Sequence, residues 1–435
     1  MRAHRREGIA VVVVWLLLAA ACTRSGTSVG GTPSGSRSPT PVPTGAGSAA
    51  AARTALCDVP DQTPPPAGSP PEGGTPEAIA EVEQEVVQER GLEYLRKVPV
   101  EPLTSSQMAN EIRASFRDTF PVDQYERRSL AWATLGVIPV GTSLHDELQA
   151  FLAGEVKGFY VPETGRLVYV GSADLTPLAH LVLAHELTHA VDDQHFHLEK
   201  VDTLATTCDD EAQTAALGAM EGSAQFYSFR VAREFLTPDE LLEVAQEASA
   251  APVPDVPPFI SRTQLWPYQA GLSFITALDG SGGAEAVNAA LKDFPVSTEQ
   301  VMHPEKFPTD VPTPLDVPDL GPGLGDGWSD LDVSDVGESF LSIMIGLRLD
   351  AERADVAAAG WDGGIYRAWS NGDRVAIAMQ TIWDTSGDAR EFADTMTDWI
   401  DAGDQPALVL PVDGTSVRVL FASDADGLAA LRSIA

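Results

Sequence analysis

Residues 177–197 read PLAHLVLAHELTHAVDDQHFH and contain five of the eight histidines of the chain. Apolar side chains recur through this stretch at helical spacing, and Pro177 stands where the first turn of a helix tolerates proline. We therefore predict a long, buried helix from Pro177 to about Gln194. So many imidazoles on such a helix need a chemical explanation, because an unpaired polar group in an apolar core destabilises the fold.

The five residues from His185 to His189 match the pattern H-E-x-x-H. Two histidines four residues apart project from one helical face at a spacing that suits one Zn²⁺ ion, and Glu186 lies beside them as a candidate general base. The alternative is a pair of core histidines bonded to backbone carbonyls, with Glu186 at the surface. We favour a metal site, because one ion satisfies both rings.

A catalytic zinc ion needs a third protein ligand, and three residues are candidates. Glu221 interrupts an apolar helix and is flanked by two glycines that permit close helix approach, so ligation explains both features. His195 fits the longer pattern H-E-x-x-H-x-x-G-x-x-H, except that Asp192 stands where a chain-reversing glycine is expected. Glu211 more simply stabilises a helix N-terminus. We favour Glu221, with His195 as the alternative ligand.

The segments HELTHAVDDQHF and, further along, EGSA at 221–224 resemble those of zincin metallopeptidases of the gluzincin type in a group of exported bacterial proteins. The resemblance covers about residues 77–310. It implies that His185, His189 and Glu221 bind one zinc ion per chain. Glu186 would then activate a zinc-bound water for peptide-bond hydrolysis. The hairpin predicted at 157–170 lies where such enzymes have the edge strand that binds the substrate backbone.

The same reaction needs a donor to the tetrahedral oxyanion, and Tyr268 and His303 are the candidates. His303 belongs to the segment STEQVMHPEKF at 297–307. This segment, AAAGWDGG and IWDTSGDAREFA look like recurring features of the same group of proteins, with no role that we can state.

The N-terminus has the pattern of an export signal. Arginines precede an apolar run from Ile9 to Ala21, which is too short for a permanent transmembrane anchor. The run ends in LAAAC at Cys22, which resembles a bacterial lipobox and implies a lipid-anchored protein outside the cytoplasm. Ordinary cleavage and secretion is the alternative. Lipidation of Cys22 would leave Cys57 and Cys208 either for one disulfide in an oxidising compartment or as two free thiols.

Composition divides the chain into five parts. These are a signal peptide with a lipobox-like end (1–22), a disordered tether rich in Gly, Ser, Pro and Thr (23–76), a zincin-like domain (77–307), a Pro/Gly-rich linker (308–327) and a C-terminal domain (328–435). We predict an α+β fold: a mainly helical domain with a small edge sheet, followed by a smaller C-terminal α+β domain.

The net charge of the chain indicates which kinds of partner to expect. The chain has 28 basic and 63 acidic side chains and a formal charge of -35, so nucleic acid is not an expected partner. The predicted function is that of an exported zinc metallopeptidase, an endopeptidase that acts on a protein or peptide substrate. Two alternatives stay open: a non-catalytic envelope lipoprotein with a structural zinc site, and a zinc amidase that acts on cell-wall material.

Overall fold

A computed structural model describes residues 47–57, 75–119, 121–162, 164–172, 174–250 and 255–435. The predicted signal peptide, Cys22 and most of the predicted tether lie outside these residues, so export and lipidation stay predictions. Within the described ranges, none of the helices combines the length and the apolar character that a membrane span requires.

The chain has the predicted mixed α+β architecture, with most of its helices in the first three quarters. The helices are α1 (Ala49–Leu56), α2 (Glu77–Arg90), α3 (Ser105–Thr119), α4 (Val122–Leu135), α5 (Leu144–Glu155), α6 (Pro177–Phe196), α7 (Lys200–Thr206), α8 (Asp210–Phe235), α9 (Pro238–Ala250), α10 (Pro258–Lys292), α11 (Thr298–Met302), α12 (Gly321–Leu324), α13 (Glu338–Ile345), α14 (Ala351–Ala358), α15 (Ser386–Asp401) and α16 (Ala425–Ile434).

The described strands form two sheets. They are β1 (Val100–Leu103), β2 (Gly158–Val161), β3 (Arg166–Val170), β4 (Ser329–Asp335), β5 (Trp361–Asn371), β6 (Arg374–Trp383), β7 (Ala407–Val409) and β8 (Ser416–Ala422). The first sheet has the order β1-β3-β2, and the second has the order β4-β5-β6-β8-β7. The predicted hairpin is present, because β2 pairs antiparallel with β3, while β1 pairs parallel with β3.

One part of the predicted tether is folded. Helix α1 packs on the second sheet through small side chains, with Ala49 completely buried. The Ala49 amide donates to Asp316, and Arg53 pairs with Asp335 of β4. The prediction of disorder throughout 23–76 is therefore wrong for α1, because alanine favours the helix and lets it lie close to a neighbour without large apolar residues.

Two further segments are joined to the rest of the fold. A disulfide joins Cys57, which follows α1, to Cys208, which precedes α8. The predicted linker at 308–327 lies on the second sheet, where Val317 is buried and Asp319 accepts a hydrogen bond from the Trp369 indole. The linker is thus part of the folded surface rather than a free spacer.

The helix that carries the H-E-x-x-H motif begins and ends by local chemistry. The Thr176 hydroxyl accepts from the Ala179 amide, Pro177 occupies the first turn, and His197 ends the helix with a left-handed φ of 61°. Almost every residue of α6 from Leu181 to Gln194 is buried. Helix α6 is therefore a central element and not an amphipathic surface helix.

Helices α8 and α10 cross at glycines. A Cβ atom added to Gly222 would overlap the backbone of Gly271, and one added to Gly271 would overlap the Gly218 carbonyl oxygen. Any larger residue would push the two helices apart. The glycines around Glu221 therefore do permit the close approach that the sequence suggested, and they bring α10 against the face of α8 next to Glu221.

Candidate metal centre

Three predicted ligands meet between α6 and α8. The Nε2 atoms of His185 and His189 lie 3.0 Å apart, and Glu221 Oε2 lies 3.2 Å from the first and 3.4 Å from the second. All three side chains are buried. Among the described residues, they form a group of donor atoms that could hold one metal ion. Two imidazoles and a carboxylate are a donor set that Zn²⁺ accepts in catalytic sites.

Burial sets the protonation of these groups. Loss of solvation lowers the pKa of His185 to about 4 and that of His189 to about 3, and raises the pKa of Glu221. Both imidazoles are therefore neutral at pH 7, the form in which histidine binds a metal. A cation at this point would also relieve the crowding of three electron-pair donors. The residues present thus fit a zinc ion.

Glu186 is completely buried, and no side chain within the described part of the chain forms a hydrogen bond with its carboxylate. Burial raises its pKa well above the usual range; the charge of Glu221 adds to this effect, and a hydrogen bond from the backbone of Tyr160 opposes it. The side chain faces strand β2, where a Cβ atom on Gly158 would lie 3.0 Å from Glu186 Cγ. A carboxyl group at this position, held by no other side chain, is available for proton transfer.

Tyr268 of α10 completes this side of the site. Its ring stacks on that of His185, with centroids 6.4 Å apart, and its hydroxyl forms a hydrogen bond with Glu221 that lowers the pKa of the carboxyl. The structure therefore places this predicted donor directly against two of the predicted ligands.

The other predicted donor, His303, lies elsewhere. Its Nε2 atom is 2.9 Å from the buried carboxylate of Glu338, in the contact between α11 and α13. Because Glu338 already binds this ring, Tyr268 is the better candidate for the oxyanion donor. The hydrogen bond to Glu338 also raises the pKa of His303.

The alternative ligand His195 is also outside the group of donor atoms. Helix α6 continues without reversal through Asp192 to Phe196, which carries His195 about 9 Å along the helix axis from His189. There its Nε2 atom lies 2.8 Å from the Glu93 carbonyl oxygen. The alternative is wrong because Asp192 stays helical where that ligand pattern needs a glycine turn.

Glu211 has neither the place of a ligand nor that of a simple surface cap. Its carboxylate accepts hydrogen bonds from the amide and hydroxyl of Thr298, at the start of α11, and it touches Gly337, at the start of α13. It therefore lies between two helix N-termini, which favour a carboxylate.

Four residues that shape the site were not predicted from the sequence to be part of it. Gly158 leaves room for Glu186, and Arg90, Asp192 and Ser223 form a buried network behind the ligands. A glycine inside an apolar strand is a signal for Gly158, because it often marks a close approach of another group. No local signal joins Arg90 to Asp192, which are 102 positions apart.

Comparison with known proteins adds little on function. The model of a family described as a domain of unknown function, DUF8575, matches residues 329–432, which hold the second sheet. No curated protein matches the chain. A solved structure from Chloroflexus aurantiacus, described as a provisionally assigned hydrolase with a novel fold, is 14% identical with a TM-score of 0.35, over 59% of this chain and 95% of that one. The function proposed below therefore rests on the geometry of the site.

Proposed function

We propose that this chain is an exported zinc metallopeptidase of the zincin class. The observation that carries the proposal is the combination of three convergent buried donors, His185, His189 and Glu221, with a buried carboxylate on Glu186 that has no side-chain hydrogen-bond partner in the described residues. A purely structural zinc site needs the ligands and has no use for the second carboxylate. This argues for the enzyme over the envelope lipoprotein with a structural zinc.

A zinc ion in this site would supply a Lewis acid that polarises a carbonyl and makes water more acidic. The positive charge of that ion would favour the ionised form of Glu186, which then takes a proton from the attacking water, whose oxygen bonds to the scissile carbonyl carbon. As the C–N bond breaks, Glu186 delivers that proton to the leaving nitrogen. The Tyr268 hydroxyl, which lies beside Glu221, is the candidate donor to the developing oxyanion.

Strand β2 is the proposed binding edge for the substrate. Its one strand neighbour within the described sheet is β3, and its Gly158 lies against Glu186. An extended peptide that adds to the other edge of β2 would carry its backbone past the proposed base. The reaction would then be internal cleavage of a polypeptide.

Two features support a site outside the cytoplasm. The Cys57–Cys208 disulfide suits an oxidising compartment. The N-terminal pattern that ends at Cys22 suits export and lipid anchoring, with secretion as the alternative. We therefore propose that the enzyme acts on protein or peptide substrates at the outer face of the membrane.

The test is hydrolysis of casein by the zinc-loaded full chain, compared with Glu186→Gln. A matched control is Glu211→Gln, the same change at another buried glutamate. We expect activity in the wild type and the control, and a loss of about 10²–10⁴-fold in Glu186→Gln with zinc content unchanged. Equal activity in all three proteins would contradict the proposal. Turnover of purified peptidoglycan in place of casein would favour the amidase.

A further inference from the structure

Four consecutive residues that begin three positions after His189, Asp192 to His195, all bind one segment of the chain. We call residues 90–96, which follow and include the end of α2, the N-terminal strap. The contacts are Arg90 Nε to Asp192 Oδ1 at 2.6 Å, Arg96 Nη2 to Asp193 Oδ2 at 2.9 Å, Gln194 to the Arg96 backbone at 2.8 and 3.0 Å, and His195 Nε2 to the Glu93 carbonyl oxygen at 2.8 Å.

Asp192 is the central member of this set, and it is 1% exposed. One carboxylate oxygen accepts from Arg90, and the other accepts from the Ser223 hydroxyl at 2.7 Å. Asp192 lies one helical turn after His189 on α6, and Ser223 lies two residues after Glu221 on α8. A single buried carboxylate therefore connects the two helices that supply the ligands.

Arg90 extends the connection to a third helix. Its side chain is fully buried, its Nη2 atom donates to Asn288 of α10 at 2.7 Å, and its guanidinium lies over the Tyr227 ring at 4.7 Å. Helix α10 also carries Tyr268, on the other side of Gly283, where the backbone of α10 is not helical. The Arg90 guanidinium thus contacts α6, α8 and α10, which are the helices that surround the ligand atoms.

A buried ion pair by itself is weak support for a gain in stability, because loss of solvation offsets much of the attraction. Its hydrogen bonds do restrict the relative positions of the groups that they join. A zinc site whose ligands come from two helices depends on such positions, and the groups behind the ligands commonly set metal affinity. The arrangement of this network fits an orienting role.

We propose that Arg90, Asp192 and Ser223 are positioning residues, which hold His189 and Glu221 in register for metal binding. The inference deepens the proposed function and rests on it. It also gives a role to the strap and to the DDQH part of the motif.

The test measures the zinc dissociation constant of the full chain by competition with a chromogenic chelator. Ser223→Ala removes one hydroxyl, and Asp192→Asn keeps the shape of the side chain. The matched control is Arg230→Gln, which removes the half-exposed 2.9 Å pair of Arg230 with Glu89 between α8 and α2. We expect the dissociation constant to rise about 10-fold in Ser223→Ala and about 10–100-fold in Asp192→Asn, with less than about a 2-fold change in the control.

Two further readouts separate positioning from stability. The d–d absorption of the cobalt-substituted protein should change in Asp192→Asn and stay the same in Arg230→Gln, because it reports ligand geometry. A Ser223→Ala protein that binds zinc as the wild type does, even with a lower melting temperature without metal, would overturn the inference. Absence of zinc binding in the wild type would overturn the proposed function and this inference together.

Discussion

At the scale of single residues, the carboxylate of Glu186 is an acidic group buried next to the predicted metal ligands. No side chain within the described residues forms a hydrogen bond with it. Such a group destabilises the folded state, and its cost grows when it ionises. The fold keeps it where Gly158 leaves space and where the metal ligands lie next to it, so reactivity and stability oppose each other at this residue.

Glu186→Gln should therefore stabilise the metal-free protein while it abolishes activity. Because the pKa of Glu186 is raised in the folded state, the free energy of unfolding keeps the full contribution of this residue below about pH 4.5 and loses it as the pH rises through the folded-state pKa. Glutamine does not ionise, so the free energy of unfolding of the variant does not fall in this way. We expect it to be more stable by at least about 1 kcal/mol at pH 8 in the presence of chelator, measured by chemical denaturation. A less stable variant at pH 8 would contradict this reading.

The residues of the site were predictable to different degrees. The motif gave His185, Glu186 and His189, and Glu221 stood out because a charge interrupts an apolar helix between glycines. His195 was open because its place depends on whether Asp192 reverses the chain. In the structure Asp192 stays helical and accepts a hydrogen bond from Arg90, a partner 102 positions away that periodicity and spacing do not reveal.

At the scale of elements, the crossing of α8 and α10 positions Glu221 and Tyr268. Gly222 and Gly271 allow backbone contact there, and no side chain fits between them. This contact explains the pattern of small residues around Glu221 better than helix propensity does, since glycine inside a helix lowers its intrinsic stability.

Gly222→Ala should damage both the fold and the site. The added methyl group meets the Gly271 backbone, so the helices must separate, which costs about 1–3 kcal/mol or more, and Glu221 moves away from the two histidines. Gly280→Ala is the matched control, because a Cβ atom there meets nothing within 4 Å and alanine favours the helix. We expect the control to be stabilised by about 0.5–1 kcal/mol. Thermal unfolding of both variants tests this prediction. Equal melting temperatures would show that the close contact of α8 with α10 does not require glycine at position 222.

Long elements with a clear period were predicted better than short ones. The hairpin of β2 and β3 and the helices α6 and α8 follow from apolar runs with turn residues or caps at their ends. By contrast, the apolar residues over 336–359 suit a single helix, whereas the structure has two short ones, α13 and α14. The residues GWDGG at 360–364 are typical of a turn, yet β5 begins at Trp361. Because Gly363 and Gly364 lack side chains, the backbone carbonyl oxygens of Thr313 and Val336 can approach this strand closely.

At the scale of the whole molecule, the helical part and the C-terminal part share a core. The largest apolar cluster includes Phe151 and Phe159 as well as Tyr366 and Trp399. Polar contacts follow the same junction: Lys306 of the segment STEQVMHPEKF pairs with Glu299 and with Asp384. The three segments with no stated role thus meet here, since the Asp384 amide also donates to the Gly360 carbonyl oxygen of AAAGWDGG. Composition showed separate parts but not how they pack.

This junction should make stability depend on pH through Glu211. Burial raises the pKa of Glu211 to about 8, so its contribution is full below about pH 4.5 and is lost as the pH rises through about 8. Glu211→Gln removes that titration. We expect the melting temperature of the variant to exceed that of the wild type increasingly between pH 5 and 9, and the two to converge at low pH. Parallel curves across this range would show that Glu211 does not titrate as the structure indicates.

The central claim is that His185, His189 and Glu221 bind one zinc ion, and elemental analysis of the purified full chain tests it most directly. We predict about one zinc per chain in the wild type and in His195→Ala, and loss of the metal in Glu221→Ala. Zinc that persists in Glu221→Ala, or a wild type that binds no zinc when the metal is supplied, would contradict the account.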